Sequence, residues 1–224
     1  MPEVKKTKFY GVFKIKGKIS TINLVPNQKV YGEELIKEKS VEYRVWDFWR
    51  SKPAAAIKNG LKGLPIEDGI KVLYLGIANG TTASHFSDII GKNGLIYGVE
   101  ISDRPFRELI PTAEKRGNVI PILANARKPE DYENVVLSKV DVVYEDVASD
   151  DQVQIMIRNC EKFLKPDGFA IIVIKSQSID VTKHPRQVYK ECLQELEKYF
   201  EIIDKVELDP YEKFHLFVVM RWKG

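Results

Sequence analysis

Five polar positions close five apolar runs along this 224-residue chain, and their chemistry suits the handling of a nucleoside. Gly76 follows the run ending at Leu75, Glu100 closes LIYGVE, and Asn125 follows VIPILA. Asp146 falls near the end of VDVVYEDV, and Lys175 follows the wholly apolar FAIIVI. If the runs are parallel strands, these residues meet along one edge, the edge where open α/β sheets bind their ligands. Glu100 lies 20 residues past Gly80, about where a doubly wound fold places the carboxylate that grips a ribose diol. Lys175 is the sharpest member of the set. An ammonium at a buried edge can shift its pKa downward and act as a base, and Asp146 on the neighbouring strand can hold and tune it. The set describes adenosine held by its diol and its ring, with catalytic polar groups on the later strands.

The element that must position the ligand is Lys71 to Gly91, KVLYLGIANGTTASHFSDIIG. Its apolar start predicts a buried strand, Gly76 and Gly80 a tight turn, and Thr81, Thr82 and Ser84 candidate caps for a following helix. Unpaired N–H groups and a positive helix end at one point suit an anionic or nucleotide-like ligand. The spacing Gly-x-x-x-Gly is neither the dinucleotide fingerprint nor a P-loop with its lysine.

The rest of the chain alternates. Residues 9–24 alternate apolar and charged side chains around Gly17, which predicts a hairpin in a small antiparallel β module. Ser51 is placed to cap a helix opening near Pro53 and ending at Asn59-Gly60. Trp46, Phe48 and Trp49 beside Arg44, Arg50 and Lys52 form either a base-stacking surface or interdomain core flanked by charge. Helices are predicted over 104–116, 152–164 and 185–199, with a turn at Lys165–Gly168. Two final strands, 200–208 and 214–222, are joined through Asp209-Pro210 with no room for a helix. The fold class is therefore α/β: a mostly parallel sheet covered on both faces, an antiparallel C-terminal strand, and the N-terminal β module. The expected division is residues 1–55 for the module and 56–224 for the larger domain.

Composition narrows the function classes. Two cysteines and three histidines, scattered, give neither a disulfide framework nor a metal-ligand set, so no metal is expected. No apolar run approaches membrane-spanning length and the start MPEVKK lacks a signal peptide's apolar stretch, so an intracellular, cytoplasmic chain without a targeting segment is expected. Residues 1–60 hold 13 Lys and Arg against 6 Asp and Glu, a balance of +7, and residues 61–224 hold 22 against 26. A basic front segment fits approach to a polyanion, and equally a solvated lysine-rich surface.

The segments LGIANGTTASHFSDIIG, YGVEIS, NVIPILANARKPEDY, VDVVYEDVA, IKSQSID and LDPYEKFHLFVV resemble fibrillarin in its short archaeal-type form, over nearly the whole chain. The resemblance implies a Rossmann-like S-adenosylmethionine-dependent methyltransferase fold and RNA ribose 2′-O-methylation in box C/D particles. Implied partners are a Nop-type scaffold protein, a kink-turn-binding ribosomal-type protein and box C/D guide RNA, with rRNA and tRNA as substrates.

Carried over by position, the resemblance implies cofactor contacts at Gly76, Thr81, Thr82, Glu100, Ile101, Asn125, Ala126, Asp146, Val147, Ala148, Ser149 and Gln152. It implies a catalytic set of Lys52, Asp146, Lys175 and His215, and leaves His85 structural or solvent-facing. The chain departs from the family's pattern at Ile101 for Phe, Asn125 for Asp and Ser149 for Gln. It departs also at Ser176-Gln177 for Ala-Arg and at Pro53 for Leu. Aromatic stacking on adenine is thereby lost, but every implied catalytic side chain is retained. Two other classes compete: a different nucleotide-cofactor enzyme, against which the missing Gly-x-Gly-x-x-Gly speaks for NAD, and a non-catalytic particle subunit, against which Lys175 and Asp146 speak.

Overall fold

A computed structural model describes residues 3–224 and divides them between two sheets. The front sheet is formed by β1 (Val4–Lys6), β2 (Val12–Ile15), β3 (Lys18–Ile22), β4 (Leu35–Glu38) and β5 (Val41–Val45), in the order β1-β2-β3-β5-β4 with every pair antiparallel. Val12 and Ile15, three apart on β2, are buried on opposite faces: Val12 joins a core of the larger sheet, and Ile15 packs with Ile36 and Tyr43 in a small core of the module's own.

After α1 (Lys52–Lys58) come β6 (Lys71–Leu75), α2 (Thr81–Ile90), β7 (Leu95–Glu100), α3 (Asp103–Arg116) and β8 (Val119–Leu123). Then follow β9 (Val140–Glu145), α4 (Gln152–Phe163), β10 (Leu164–Lys175), α5 (Ser176–Ile179), α6 (Pro185–Leu196), β11 (Phe200–Glu207) and β12 (His215–Trp222). The seven-stranded sheet runs β11-β12-β10-β9-β6-β7-β8. From β10 to β8 neighbours are parallel, and β12 is antiparallel to both β10 and β11. Central strands read as unbroken apolar runs because helices cover both of their faces, giving one core on each side.

Several local expectations are corrected. The N-cap of α2 is Gly80 at φ 86°, with no side-chain cap. The hydroxyls expected there are used elsewhere: Ser84 accepts from Arg44, and Thr82 meets Ser51 at 2.9 Å. Ser51 is the N-cap position of α1, yet its hydroxyl accepts from Trp46 Nε1 rather than capping. The turn at 165–168 is an irregularity within β10, and α6 ends at Leu196 rather than at Tyr199. The helical turn Ser176–Ile179 was not foreseen.

The β module is fastened to α2 by buried charge. Arg44, fully buried, pairs with Glu33 at 2.6 Å and with Asp88 at 2.9 Å. Asp88 also takes Arg116 and the Thr21 hydroxyl. His85, expected to be structural or solvent-facing, is fully buried: its ring meets the Thr21 and Tyr31 hydroxyls and stacks on Trp46 with 4.9 Å between centroids. Ions this deep persist because each has partners, and removing one member leaves an uncompensated charge. Trp46 is thereby core between the front sheet and α2, whereas Trp49 is 56% exposed.

Candidate active site at the strand ends

A cleft of about 340 Å³ opens beyond the carboxyl ends of β6, β7, β8, β9 and β10. Gly76, Glu100, Ile101, Asn125, Ala126, Asp146, Val147, Ala148, Ser149 and Lys175 all line it. Chain crossover makes this edge: after β6 the chain builds outward through β7 and β8, then returns to place β9 on the other side of β6. Clefts form at such a reversal because consecutive connections diverge to opposite sides of the sheet.

The turn after β6 demands glycine. Gly76 sits at φ 77°, and a Cβ there would stand 3.1 Å from the Asp146 carbonyl carbon and oxygen. Asp146 itself is pinned by its N–H to the Leu75 carbonyl at 2.9 Å. On β7, Glu100 is 7% exposed and both carboxylate oxygens are oriented, Oε2 by the Ala78 N–H at 2.9 Å and Oε1 by the Ser102 N–H at 2.8 Å. Each oxygen keeps a lone pair for a hydroxyl donor. Ile101 follows with 62% of its surface exposed, an apolar wall of the cleft. Asn125 Oδ1 accepts the Arg127 N–H at 3.0 Å, and the Ala126 carbonyl is held by Asn159.

Arg127 was missed from sequence. It lines the cleft and ties its floor together, donating to Ser149, Asp150 and Asp151. Against the upward push of partial burial, Arg127 and Ser149 hold the Asp151 carboxyl below its usual value. Its position two residues past Asn125, just beyond a strand end, was the available signal.

Not every implied contact reaches the cleft. Thr81 donates to Asn79, Thr82 is buried against Ser51, and neither lines the cleft. Gln152 is fully buried and acts as a brace: its amide nitrogen donates to the Val147 and Val173 carbonyls, and its oxygen accepts the Lys175 N–H. That brace locks β10 to the segment after β9, and so fixes Lys175 relative to Asp146.

Three charges converge at the cleft's end. Lys52 Nζ donates to Asp146 Oδ2 at 2.9 Å. Lys175 Nζ lies 2.8 Å from Asp146 Oδ1 and donates to the Asp146 carbonyl at 2.8 Å. All three side chains are under one-fifth exposed, so their attraction is little screened. Burial disfavours the Lys52 charge, but Asp146 outweighs it and holds the ammonium above the usual lysine value. His215 pairs with Lys175 across β12 and β10. Burial, with Lys52 and Lys175 nearby, lowers its pKa despite the raising contact to the Lys213 carbonyl, so the ring is neutral at pH 7. That carbonyl, 2.7 Å from Nδ1, can only accept, which leaves Nε2 as the ring's acceptor. Beneath the site, Glu145 is fully buried with neither carboxylate oxygen bonded to the protein. Burial raises its pKa well above the usual range, against the pull of Lys175. Among the described residues no group of three His, Cys, Asp or Glu is arranged to hold a metal ion.

A sequence model of the fibrillarin family matches residues 4–224. The fibrillarin-like rRNA/tRNA 2′-O-methyltransferase of Pyrococcus furiosus is 55% identical over 226 residues, covering 99% of each chain. A crystal structure of Aeropyrum pernix fibrillarin with natively bound S-adenosyl-L-methionine superposes with TM-score 0.90 at 44% identity, covering 97% of each chain. The fibrillarin of a fibrillarin/Nop5p complex matches with TM-score 0.89 at 38% identity, covering 97% of this chain and 100% of that one. Through a match to its family model and full-length relatives above half identity, the chain belongs to the fibrillarin family.

Proposed function

We propose that this chain is an S-adenosylmethionine-dependent ribose 2′-O-methyltransferase acting on rRNA and tRNA. The observation that carries the reading is that Asp146 and Lys175, both lining the strand-end cleft, converge with Lys52 from the start of α1. The residues present fit the cofactor. Glu100 has two oriented carboxylate oxygens for a ribose diol, Ile101 offers an apolar face to adenine, and Asn125 offers an amide oxygen to its amino group. Gly76 lets the backbone come close where a side chain would collide with Asp146. The bound cofactor supplies a methyl group on a sulfonium, ready for in-line displacement.

The protein's work is to hold the ribose hydroxyl in that line and to remove its proton. Orientation of two reactants is worth up to roughly 7–11 kcal/mol in favourable systems. Asp146 and Lys175 form the pair that orients the 2′-hydroxyl and receives its proton, with Gln152 fixing their separation. Lys52, held charged, is suited to the phosphate beside the target, and neutral His215 Nε2 to a ribose hydroxyl. Thr81 and Thr82 act behind the loop, through its conformation.

Target choice rests on partners. A Nop-type scaffold, a kink-turn-binding protein and a box C/D guide RNA complete the particle in this reading, with the guide selecting the nucleotide. The balance of +7 over residues 1–60 supports an RNA-facing front, yet it is modest for sequence-specific capture by the chain alone. Among the described residues no helix is long and apolar enough to cross a membrane. The test is transfer of labelled methyl in a particle reconstituted with guide RNA and a complementary substrate. Methylation of the guide-paired nucleotide, absent without guide, is expected. Efficient methylation of one defined nucleotide by the purified chain alone would overturn the dependence on a guide.

A further inference from the structure

We infer that Trp49, braced by Tyr211 and Phe48, is a substrate-positioning residue that packs its indole on the sugar edge of the RNA nucleotide beside the target. The inference rests on the ribose methyltransferase reading and deepens it. Large apolar side chains around the reacting groups are mostly buried; besides Ile101 in the cleft, Trp49 is 56% and Phe214 50% exposed. The exposed share of the indole gains nothing from burial unless something covers it.

Trp49 is not a loose side chain. Its ring stands edge-on to Tyr211 at 4.9 Å and lies 6.1 Å from Phe48, which in turn meets Tyr211 at 4.8 Å. The Trp49 backbone N–H donates to Asp47 Oδ1 at 2.8 Å, and the Arg50 backbone N–H donates to the Asp47 carbonyl, so the turn before α1 is closed twice. A ring fixed in this way loses little entropy on contact.

The place is as telling as the rigidity. Trp49 precedes Lys52 by three residues, which limits the separation of their Cα atoms to roughly 10 Å. Its brace, Tyr211, lies in the segment that enters β12 at His215. The Phe214 carbonyl in that segment accepts from the N–H and hydroxyl of Ser176, the residue after Lys175. Trp49 and its brace therefore ride on the two segments that carry Lys52 and His215.

A 2′-hydroxyl projects into the wide, shallow minor groove of paired RNA, flanked by the sugars of its neighbours. A protein that brings Asp146 and Lys175 to that hydroxyl must lay the surrounding rim on those sugars. An aromatic face with cations at its side suits that surface. Lys58 supplies one 5.7 Å over the Phe48 ring, and Arg50 adjoins in sequence. Trp49 therefore contributes to substrate affinity and register, and not to cofactor binding.

The test uses the assembled particle with Trp49→Ala and Trp49→Phe. Trp49→Ala is expected to raise KM for the RNA roughly tenfold, on the scale of an aromatic contact to a nucleotide, with cofactor affinity unchanged. Trp49→Phe is expected to recover most of that loss. Tryptophan emission gives a second readout, because Trp46 and Trp222 are at most 9% exposed and already shielded. Substrate RNA should blue-shift the emission and protect it from acrylamide in the wild type, and do neither in Trp49→Phe. Wild-type KM in Trp49→Ala, with emission unmoved by RNA, overturns the inference. So does loss of particle assembly in Trp49→Ala, which would mark a protein contact. A wild-type particle that transfers no methyl overturns the enzyme reading instead, and this inference with it.

Discussion

Replacing Gly76 by Ala adds a single methyl group at the point where the proposed cofactor turn meets the proposed catalytic pair, Asp146 and Lys175. Gly76 lies at φ 77°, where an L-residue costs about 1–2 kcal/mol. The new Cβ would stand 3.1 Å from the Asp146 carbonyl and 3.2 Å from Val147 Cγ1. Ordinary contact begins near 3.4 Å, so the Asp146 backbone must retreat by a few tenths of an ångström. Such overpacking adds about 1–3 kcal/mol. The total, about 2–5 kcal/mol, lowers Tm by about 4–20 °C for a chain of this size. The retreating carbonyl is the one that accepts Lys175 Nζ, so the catalytic pair moves with it. Scaled from about 100-fold per ångström of misplacement, transfer should slow roughly 4- to 10-fold. Gly17→Ala is the control: it has φ 79° but open space around its Cβ, so it carries the backbone cost alone. The assay is thermal unfolding together with single-turnover methyl transfer at saturating cofactor. A Gly76→Ala chain with no more stability loss than Gly17→Ala and a wild-type rate would refute the coupling of turn to catalytic pair.

Three further outcomes are expected. Glu100→Ala should weaken S-adenosylmethionine binding by about 1–3 kcal/mol through lost charge-assisted hydrogen bonds; equal affinity by calorimetry would remove Glu100 from the site. Burial, with Arg44 and Arg116 facing it, depresses the His85 pKa well below 6.5, although Asp88 lies 4.0 Å away. Below pH 6.5 the unfolded chain therefore binds the proton first, and stability falls with pH by up to about 1.4 kcal/mol per unit. His215 is lowered too and adds to the slope, so His85→Gln should flatten the urea-midpoint profile between pH 7 and 5.5 in part; an unchanged slope contradicts the assignment. The raised Glu145 pKa works the other way: above pH 4.5 the folded chain holds the extra proton, and stability declines as pH rises. Glu145→Gln should thus gain stability relative to wild type on going from pH 5 to pH 7, and a mutant that loses ground instead would mean that the carboxylate is ionised in the fold.

The parallel sheet and its strand-end residues were legible because buried strands leave unbroken apolar runs, and each run stops where the chain leaves the sheet. Gly76, Glu100, Asn125, Asp146 and Lys175 needed only that rule. Hydroxyl chemistry was misjudged for a local reason. Thr82, Ser84 and Ser51 all have capping potential by type, but each found a partner distant in sequence, and a pattern of neighbours cannot show that. The ion cluster of Arg44, Glu33, Asp88 and Arg116 was invisible on the same grounds. Its members lie up to 83 residues apart, Glu33 from Arg116, with no period. Gln152 stood in the sequence as a cofactor contact; only the packing of α4 against β10 turned it into the brace under Lys175.

Methyl transfer in this reading depends on the Asp146–Lys175 pair, and Lys175→Ala tests that dependence most directly. The Glu100 carboxylate and the buried ions fastening the β module make no hydrogen bond or ion pair with the Lys175 amine, so grip on the cofactor's diol and particle assembly should survive. Single-turnover transfer of labelled methyl to guide-paired RNA should fall roughly 100-fold or more, the scale of a positioned proton-transfer group. Near-normal transfer by Lys175→Ala in a fully assembled particle would take this lysine out of the chemistry and contradict the central claim.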